Sequence, residues 1–193
     1  VERPFIVNTG RIRDQWHTMT RTGVSDRLFQ HRSLPFVELH ALDAAEYQIE
    51  EGQLVELEND FGTYRGLARV TAGEARRQVF VPIHWSLQFA SAATANSLIR
   101  PVTDPVSGQP ESKHGTASLK KIGIATWVRL VVPHKIAANV LATLDTLCEF
   151  RATTPDGAGF TYELALQASG HNLISELKNL TGVTQVVSFK DTT

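Results

Sequence analysis

One cysteine and one methionine are all the sulfur that this 193-residue chain carries. A single thiol rules out an internal disulfide framework and an all-cysteine metal cluster. Charge of one sign is equally scarce: 19 basic against 20 acidic side chains leave a formal net charge of -1. That balance excludes nucleic-acid binding through bulk positive charge. No apolar run comes near the length of a membrane span. The opening Val1, Glu2, Arg3, Pro4 has no positive–apolar–small leader pattern and no initiator methionine. A cytoplasmic chain, processed or cut from a longer one, is the expectation. There is no G-x-G-x-x-G behind a strand, no P-loop and no nucleophile elbow. What is present is a globular composition, 42% hydrophobic and 20% charged, long enough for one good core or two small ones.

The stretch that stands out is residues 8–23, N-T-G-R-I-R-D-Q-W-H-T-M-T-R-T-G. It follows a short apolar run, Pro4, Phe5, Ile6 and Val7, that reads as a buried strand. Gly10 has no Cβ and would let a ligand lie directly against the backbone. Behind it come Arg11, Arg13, Arg21, His17 and the hydroxyls of Thr9, Thr18, Thr20 and Thr22. This set offers many donors and few acceptors, which suits an anionic, heteroatom-rich ligand such as a phosphorylated pterin. An ordinary basic surface loop would carry the same composition.

Further on, residues 35–40 read as a strand, and 41–48 as a short helix opening at Asp43 beside Ala44. Gly52 opens a half-buried strand over 53–58; a turn at 59–62 and a partner strand over 63–71 complete a hairpin. A strand over 78–83 runs into His84 and Trp85. The polar stretch 86–113 is long enough to be either functional or disordered. A strand over 116–122 then closes what reads as a small barrel. Beyond Ala125 the pattern changes. A strand over 127–132 precedes a helical face of Ile136, Val140, Leu141, Leu144 and Leu147. Strands follow over 148–153 and around Tyr162, Leu164 and Leu166, with a turn at Pro155, Asp156 and Gly157. A short helix marked by Leu173, Ile174, Leu177 and Leu180 leads to a last strand over 183–189. The order β-α-β-β-α-β predicts a small ferredoxin-like α+β module.

Three separated blocks resemble the C-terminal cofactor-binding domain of molybdopterin oxidoreductases, and most of all the bacterial assimilatory nitrate reductases. The first comprises Thr9, Gly10 and Arg11, then Gln15, Trp16, His17 and Thr18, then Arg21, Thr22 and Gly23. The second is residues 79–85 with Ala90, Ser91, Asn96 and Leu98; the third is D-P-V-S-G-Q-P-E-S-K at 104–113. Similarity in the tail is thin, resting on Trp127 and on Tyr162, Glu163, Leu164 and Ala165. The resemblance implies that residues 1–124 form a double-psi β-barrel binding molybdopterin guanine dinucleotide, with 125–193 as the α+β module. It implies cofactor contacts at Thr9, Gly10, Arg11, Gln15, Trp16, His17, Thr18, Asn96 and Lys113, and it places Trp85 beside a substrate funnel. Plainer roles stand next to these: a cap for Asn96, a solvated charge for Lys113, a loop anchor for Trp85.

Such enzymes carry their metal on two pterin dinucleotides near a 4Fe-4S cluster. Molybdenum and cluster are therefore expected in parts of the enzyme absent from this chain. Cys148 reads as a core residue, and His17, His84 and His114 lack the spacing of a metal box. No catalytic residue and no metal ligand is expected here, and the chain alone should be inactive. The implied activity is support of nitrate reduction to nitrite. Formate dehydrogenases share the barrel and much of the first block; a stand-alone barrel that binds a protein is a third reading. The expected partners are the remaining domains of the enzyme and an unidentified electron donor, without nucleic acid or membrane.

Overall fold

The structure, a computed structural model, describes residues 2–157, 159–167, 177 and 185–190. Six strands form a closed barrel: β1 (Phe5–Gly10), β2 (Phe36–His40), β3 (Leu54–Glu58), β4 (Thr63–Thr71), β5 (Gln78–Pro82) and β6 (Gly115–Lys121). Around the barrel the order is β1-β5-β2-β4-β3-β6. The β1–β5 and β2–β4 pairs are parallel, and the other four are antiparallel. Side chains alternate as the pleat demands. Phe5, Val7 and Thr9 of β1, Tyr64 and Ala68 of β4, and Ala117 and Leu119 of β6 are all buried. Gly66 is required where β4 runs beside β2, because a Cβ there would stand 3.0 Å from the Phe36 Cα.

Four strands make a second, antiparallel sheet: β7 (Thr126–Val132), β8 (Phe150–Asp156), β9 (Gly159–Leu166) and β10 (Gln185–Lys190). Their order is β10-β7-β9-β8; of the helices α1 (Asp26–Phe29), α2 (Ala41–Glu46) and α3 (Ala138–Leu147), the last lies in the connection from β7 to β8. Both faces of this sheet carry buried side chains. Val128, Leu130, Val132, Tyr162 and Leu164 pack with Leu144 of α3, whereas Phe150, Ala152 and Ala165 join the core of the barrel. That second contact explains why Ala165 is as buried as its neighbour Leu164.

Several boundaries differ from the sequence expectation. β1 runs on through Asn8, Thr9 and Gly10, since β5 offers a parallel partner as far as Pro82. The short helix α2 (Ala41–Glu46) opens at Ala41 rather than Asp43, because His40 Nδ1 accepts from the Leu42 N–H at 3.0 Å and caps the first turn. β8 continues through Pro155, which is tolerated on the edge strand of a sheet. Leu147 of α3 is exposed rather than packed. The helix expected around Leu173, Ile174 and Leu180 lies outside the described residues apart from Leu177, which is buried. Residues 86–113 are an ordered strap: Phe89, Ala90, Ala93, Ala95 and Leu98 are all buried.

Candidate functional site

The first block begins in the barrel wall and leaves it after Gly10. Thr9 points inward, and its Oγ1 donates to the Ser112 carbonyl at 2.9 Å. The Lys113 ammonium donates in return to the Thr9 carbonyl. Two segments more than a hundred positions apart are thus laced together, and the barrel explains how: β1 pairs with β6, so the end of β1 lies beside the chain entering β6. Gly10 is needed for a reason the sequence hid. A Cβ there would fall 2.5 Å from the Phe80 ring, so the side chain of β5 occupies that space.

From residue 11 the chain forms a tight surface loop. Met19 N–H donates to the Trp16 carbonyl (2.9 Å) and Gly23 N–H to the Met19 carbonyl (2.8 Å). His17 and Met19 take positive φ values of 45° and 61°, left-handed conformations that cost energy for residues with a side chain. Three interior contacts fix the loop. Met19 is buried. Gln15 is buried as well and accepts from Thr22 Oγ1 at 2.5 Å. The ring of Phe89, from the strap, fills the space beside Gly23.

The deepest contact is His84, directly after β5 and 0% exposed. Its Nε2 accepts from the Ile12 N–H at 2.9 Å, and its Nδ1 donates to the His17 carbonyl at 2.5 Å. A carbonyl can only accept and an amide N–H can only donate, so the ring is the neutral Nδ1–H tautomer. Burial pulls its pKa below the ordinary histidine value. The bond to the His17 carbonyl opposes that, and the charges of Arg11 and His17 add to the lowering.

What remains outward is a donor array. Arg11, Trp16, His17, Thr18 and Lys113 are exposed. Arg13 pairs with Asp14 (3.0 Å), which also meets His31 (3.0 Å), while Arg11 enters no ion pair among the described residues. Trp16, 49% exposed, stands edge-on to the His17 ring and presents a flat apolar surface. The Gln15 Nε2 donor is buried without a partner among the described residues. Cations, hydroxyls and a stacking face fit a phosphate-bearing heterocycle.

Two expected residues lie elsewhere. Asn96 is exposed on the 3-10 turn Ala95–Leu98, held to the β3–β4 turn by Ser97 Oγ and Asn59 Nδ2. Its side chain caps nothing and makes no hydrogen bond to the 8–23 loop among the described residues. Trp85 corrects the expectation of a funnel residue outside the core. It is 1% exposed within the barrel cluster, because the strap folds down over β5 and uses the indole as an anchor. Its Nε1 has no partner among the described residues. Sequence reasoning missed Ser112, Phe80 and the tethering part of His84. All three lie in quoted blocks, Phe80 and His84 within 79–85 and Ser112 within 104–113, but no local pattern gave their contacts. The 104–113 block is a compact exposed turn: Asp104 Oδ1 accepts from the Val106 and Ser107 N–H groups (3.0 and 2.7 Å) and from Ser107 Oγ (2.9 Å).

A barrel whose first strand ends in a donor-rich loop, closed by a lysine from the last connection, defines a binding domain for an anionic cofactor. Residues 5–117 match the family described as "Molydopterin dinucleotide binding domain", and the chain belongs to that family. It is 50% identical over 127 residues to a nitrate reductase of Klebsiella oxytoca, covering 65% of this chain and 14% of that protein. A nitrate reductase of Shewanella frigidimarina is 29% identical over 194 residues, covering 88% of this chain and 20% of its own length. A formate dehydrogenase alpha subunit of Methanocaldococcus jannaschii is 32% identical over 119 residues, 62% of this chain and 17% of that one. The chain therefore spans a fifth or less of the length of these relatives. Among solved structures, acetylene hydratase from Pelobacter acetylenicus superimposes with a TM-score of 0.52 over 62% of this chain and 18% of its own, at 15% identity, a likeness of fold alone.

Proposed function

We propose that this chain is the cofactor-binding portion of a larger molybdenum oxidoreductase, holding molybdopterin guanine dinucleotide and supporting reduction of nitrate to nitrite. The observation that carries this reading is the junction of Thr9, Ser112 and Lys113, which sets an ammonium beside the exposed donors of the 11–18 loop. Arg11, Thr18 and Lys113 would face the anionic groups, and Trp16 and His17 the heterocycle. Asn96, exposed on the separate 3-10 turn Ala95–Leu98, would contact the group apart from this loop. The bound group supplies the redox chemistry; these residues bind and orient it. Molybdenum and the iron–sulfur cluster belong to the rest of the enzyme, which is also the main partner of this chain.

The same reading makes the barrel a double-psi barrel over 1–124 and the four-stranded sheet a ferredoxin-like module over 125–193. The two parallel pairs of the barrel and the β10-β7-β9-β8 order support these assignments. Nitrate is favoured by the 50% identity to the Klebsiella oxytoca nitrate reductase. Formate oxidation is the second reading, favoured by the formate dehydrogenase match. The test is Arg11→Ala and Lys113→Ala in the whole enzyme, reading molybdenum and pterin content beside nitrate and formate turnover. Each variant is expected to lose cofactor about ten- to a hundredfold, as for a lost charge-assisted hydrogen bond of about 1.5–3 kcal/mol. Full occupancy with normal turnover in both would reject the site.

A further inference from the structure

His84 sits behind the donor array, not in it. Its side chain is fully buried, yet both ring nitrogens are spent on the backbone of the loop, one at Ile12 and one at His17. The two contact points bracket residues 12–17, the segment that carries Trp16 and His17 and follows Arg11. His17 itself holds a φ of 45°, so something must offset the cost of that conformation. A hydrogen bond to its own carbonyl is in the right place to do so. β5 fixes the other end of the tether, because Val81 and Pro82 are locked against Thr9 and Gly10 in the parallel pair.

We propose that His84 is the positioning residue of the cofactor-facing loop: its neutral imidazole, wedged between the Ile12 N–H and the His17 carbonyl, sets the loop backbone in the conformation that presents Arg11, Trp16 and His17. The proposal rests on the cofactor reading for what the loop presents, but not for the tether itself. The ring can fill both roles only while one nitrogen keeps its lone pair. Protonation at Nε2 turns an acceptor into a donor facing the Ile12 N–H, and the bracket opens at that end. Arg11 and His17 are the charged and titratable groups that act on the ring, and both disfavour its protonation. Because burial lowers the ring's pKa, the tether holds through the ordinary histidine range and weakens only as pH falls below it.

The experiment has two readouts. Amide hydrogen exchange in the full 193-residue chain measures the protection of Ile12 against that of Val79 in the barrel wall, from about pH 7.5 down to about pH 4, well below the ordinary histidine range. The native chain should lose roughly tenfold of its Ile12 protection over that range while Val79 keeps its own. His84→Ala should lose it at both ends. His84→Gln can still accept with Oε1 and donate with Nε2; it should retain most of the protection and lose the pH dependence. Ile12 protection that is independent of pH in the native chain, or equal in the alanine variant, overturns the tether. Should the alanine variant not fold, the native pH series and the glutamine variant decide. Molybdenum and pterin content of the same variants in the whole enzyme is the second readout. Loss of cofactor in His84→Ala with recovery in His84→Gln supports the positioning role. A loop released by alanine with cofactor fully retained leaves the tether standing and rejects the cofactor reading of the loop.

Discussion

Two glycines of this chain have no room for a Cβ but differ in what crowds them. At Gly10 the obstacle is the Phe80 ring, a half-buried side chain that can swing away. At Gly159 it is the Val132 carbonyl, backbone locked in the β7–β9 ladder. Gly10→Ala is expected to cost about 1 kcal/mol in chemical denaturation and Gly159→Ala about 3 kcal/mol, the range for overpacked sites. Equal losses would mean that backbone and ring yield alike. At this scale the sequence was informative about type and silent about neighbour. Gly10 was legible as a place where a Cβ is unwelcome, while Phe80, seventy positions away, was not. Lys113 and Thr9 were each singled out, but their bond depends on β1 lying beside β6, which no local pattern encodes. Trp85 shows the converse: a motif residue was recognised and its depth misjudged, because burial is decided by how the strap folds.

Among the elements, the strands were legible from alternation and turn residues, to within a few positions at each end. Their pairing was not, and one buried carboxylate shows how it is fixed. Glu56, 3% exposed in the middle of β3, lies opposite Arg65 of β4 on one side and Lys120 of β6 on the other. It accepts from Arg65 Nε at 2.6 Å and meets Lys120 Nζ at 2.7 Å. A slip of one residue in the β3–β4 pairing would take Arg65 away and leave the carboxylate with Lys120 alone. Burial alone would raise its pKa, but the bonds from Lys120 and Arg65 outweigh that and leave it below the usual glutamate value. A carboxylate whose folded pKa is depressed contributes stability above its unfolded value, and that contribution fades as pH falls through the folded one. Glu56→Gln should therefore lower stability at neutral pH by roughly 3 kcal/mol and by much less under acid conditions below the carboxylate range. Denaturant melts at the two pH values check this. A loss that does not shrink in acid would show that shape, rather than charge, sets the register.

Over the whole molecule, the change of pattern at Ala125 reads as a boundary, yet the packing across it is continuous. The strap residues Phe89, Ala90 and Ala93 share one core with Phe150, Ala152 and Ala165 of the second sheet. Backbone bonds stitch them together: Ser91 N–H to the Arg151 carbonyl (2.9 Å) and Thr153 N–H to the Phe89 carbonyl (2.7 Å). These close the outer edge of β8. Arg151, itself buried, donates to the Leu87 carbonyl (3.2 Å) as well as to Asp145 of α3, and Arg65 reaches from the barrel to Glu149. The route then runs on into the site. Phe89 packs on Phe29 with ring centroids 5.3 Å apart and fills the space beside Gly23, where the donor-rich loop ends. Removing residues 126–193 would thus strip the cover from the strap and leave Phe89 with one wall. The truncated chain is expected to melt well below the full one, and its 11–23 loop should exchange amide hydrogens faster than its β1 and β5 strands. Calorimetry of both chains, with hydrogen exchange resolved at Met19 and Gly23, measures this. If residues 1–125 alone melt at the same temperature with the loop equally protected, the second sheet is a passenger, and the shared core contributes nothing to the site.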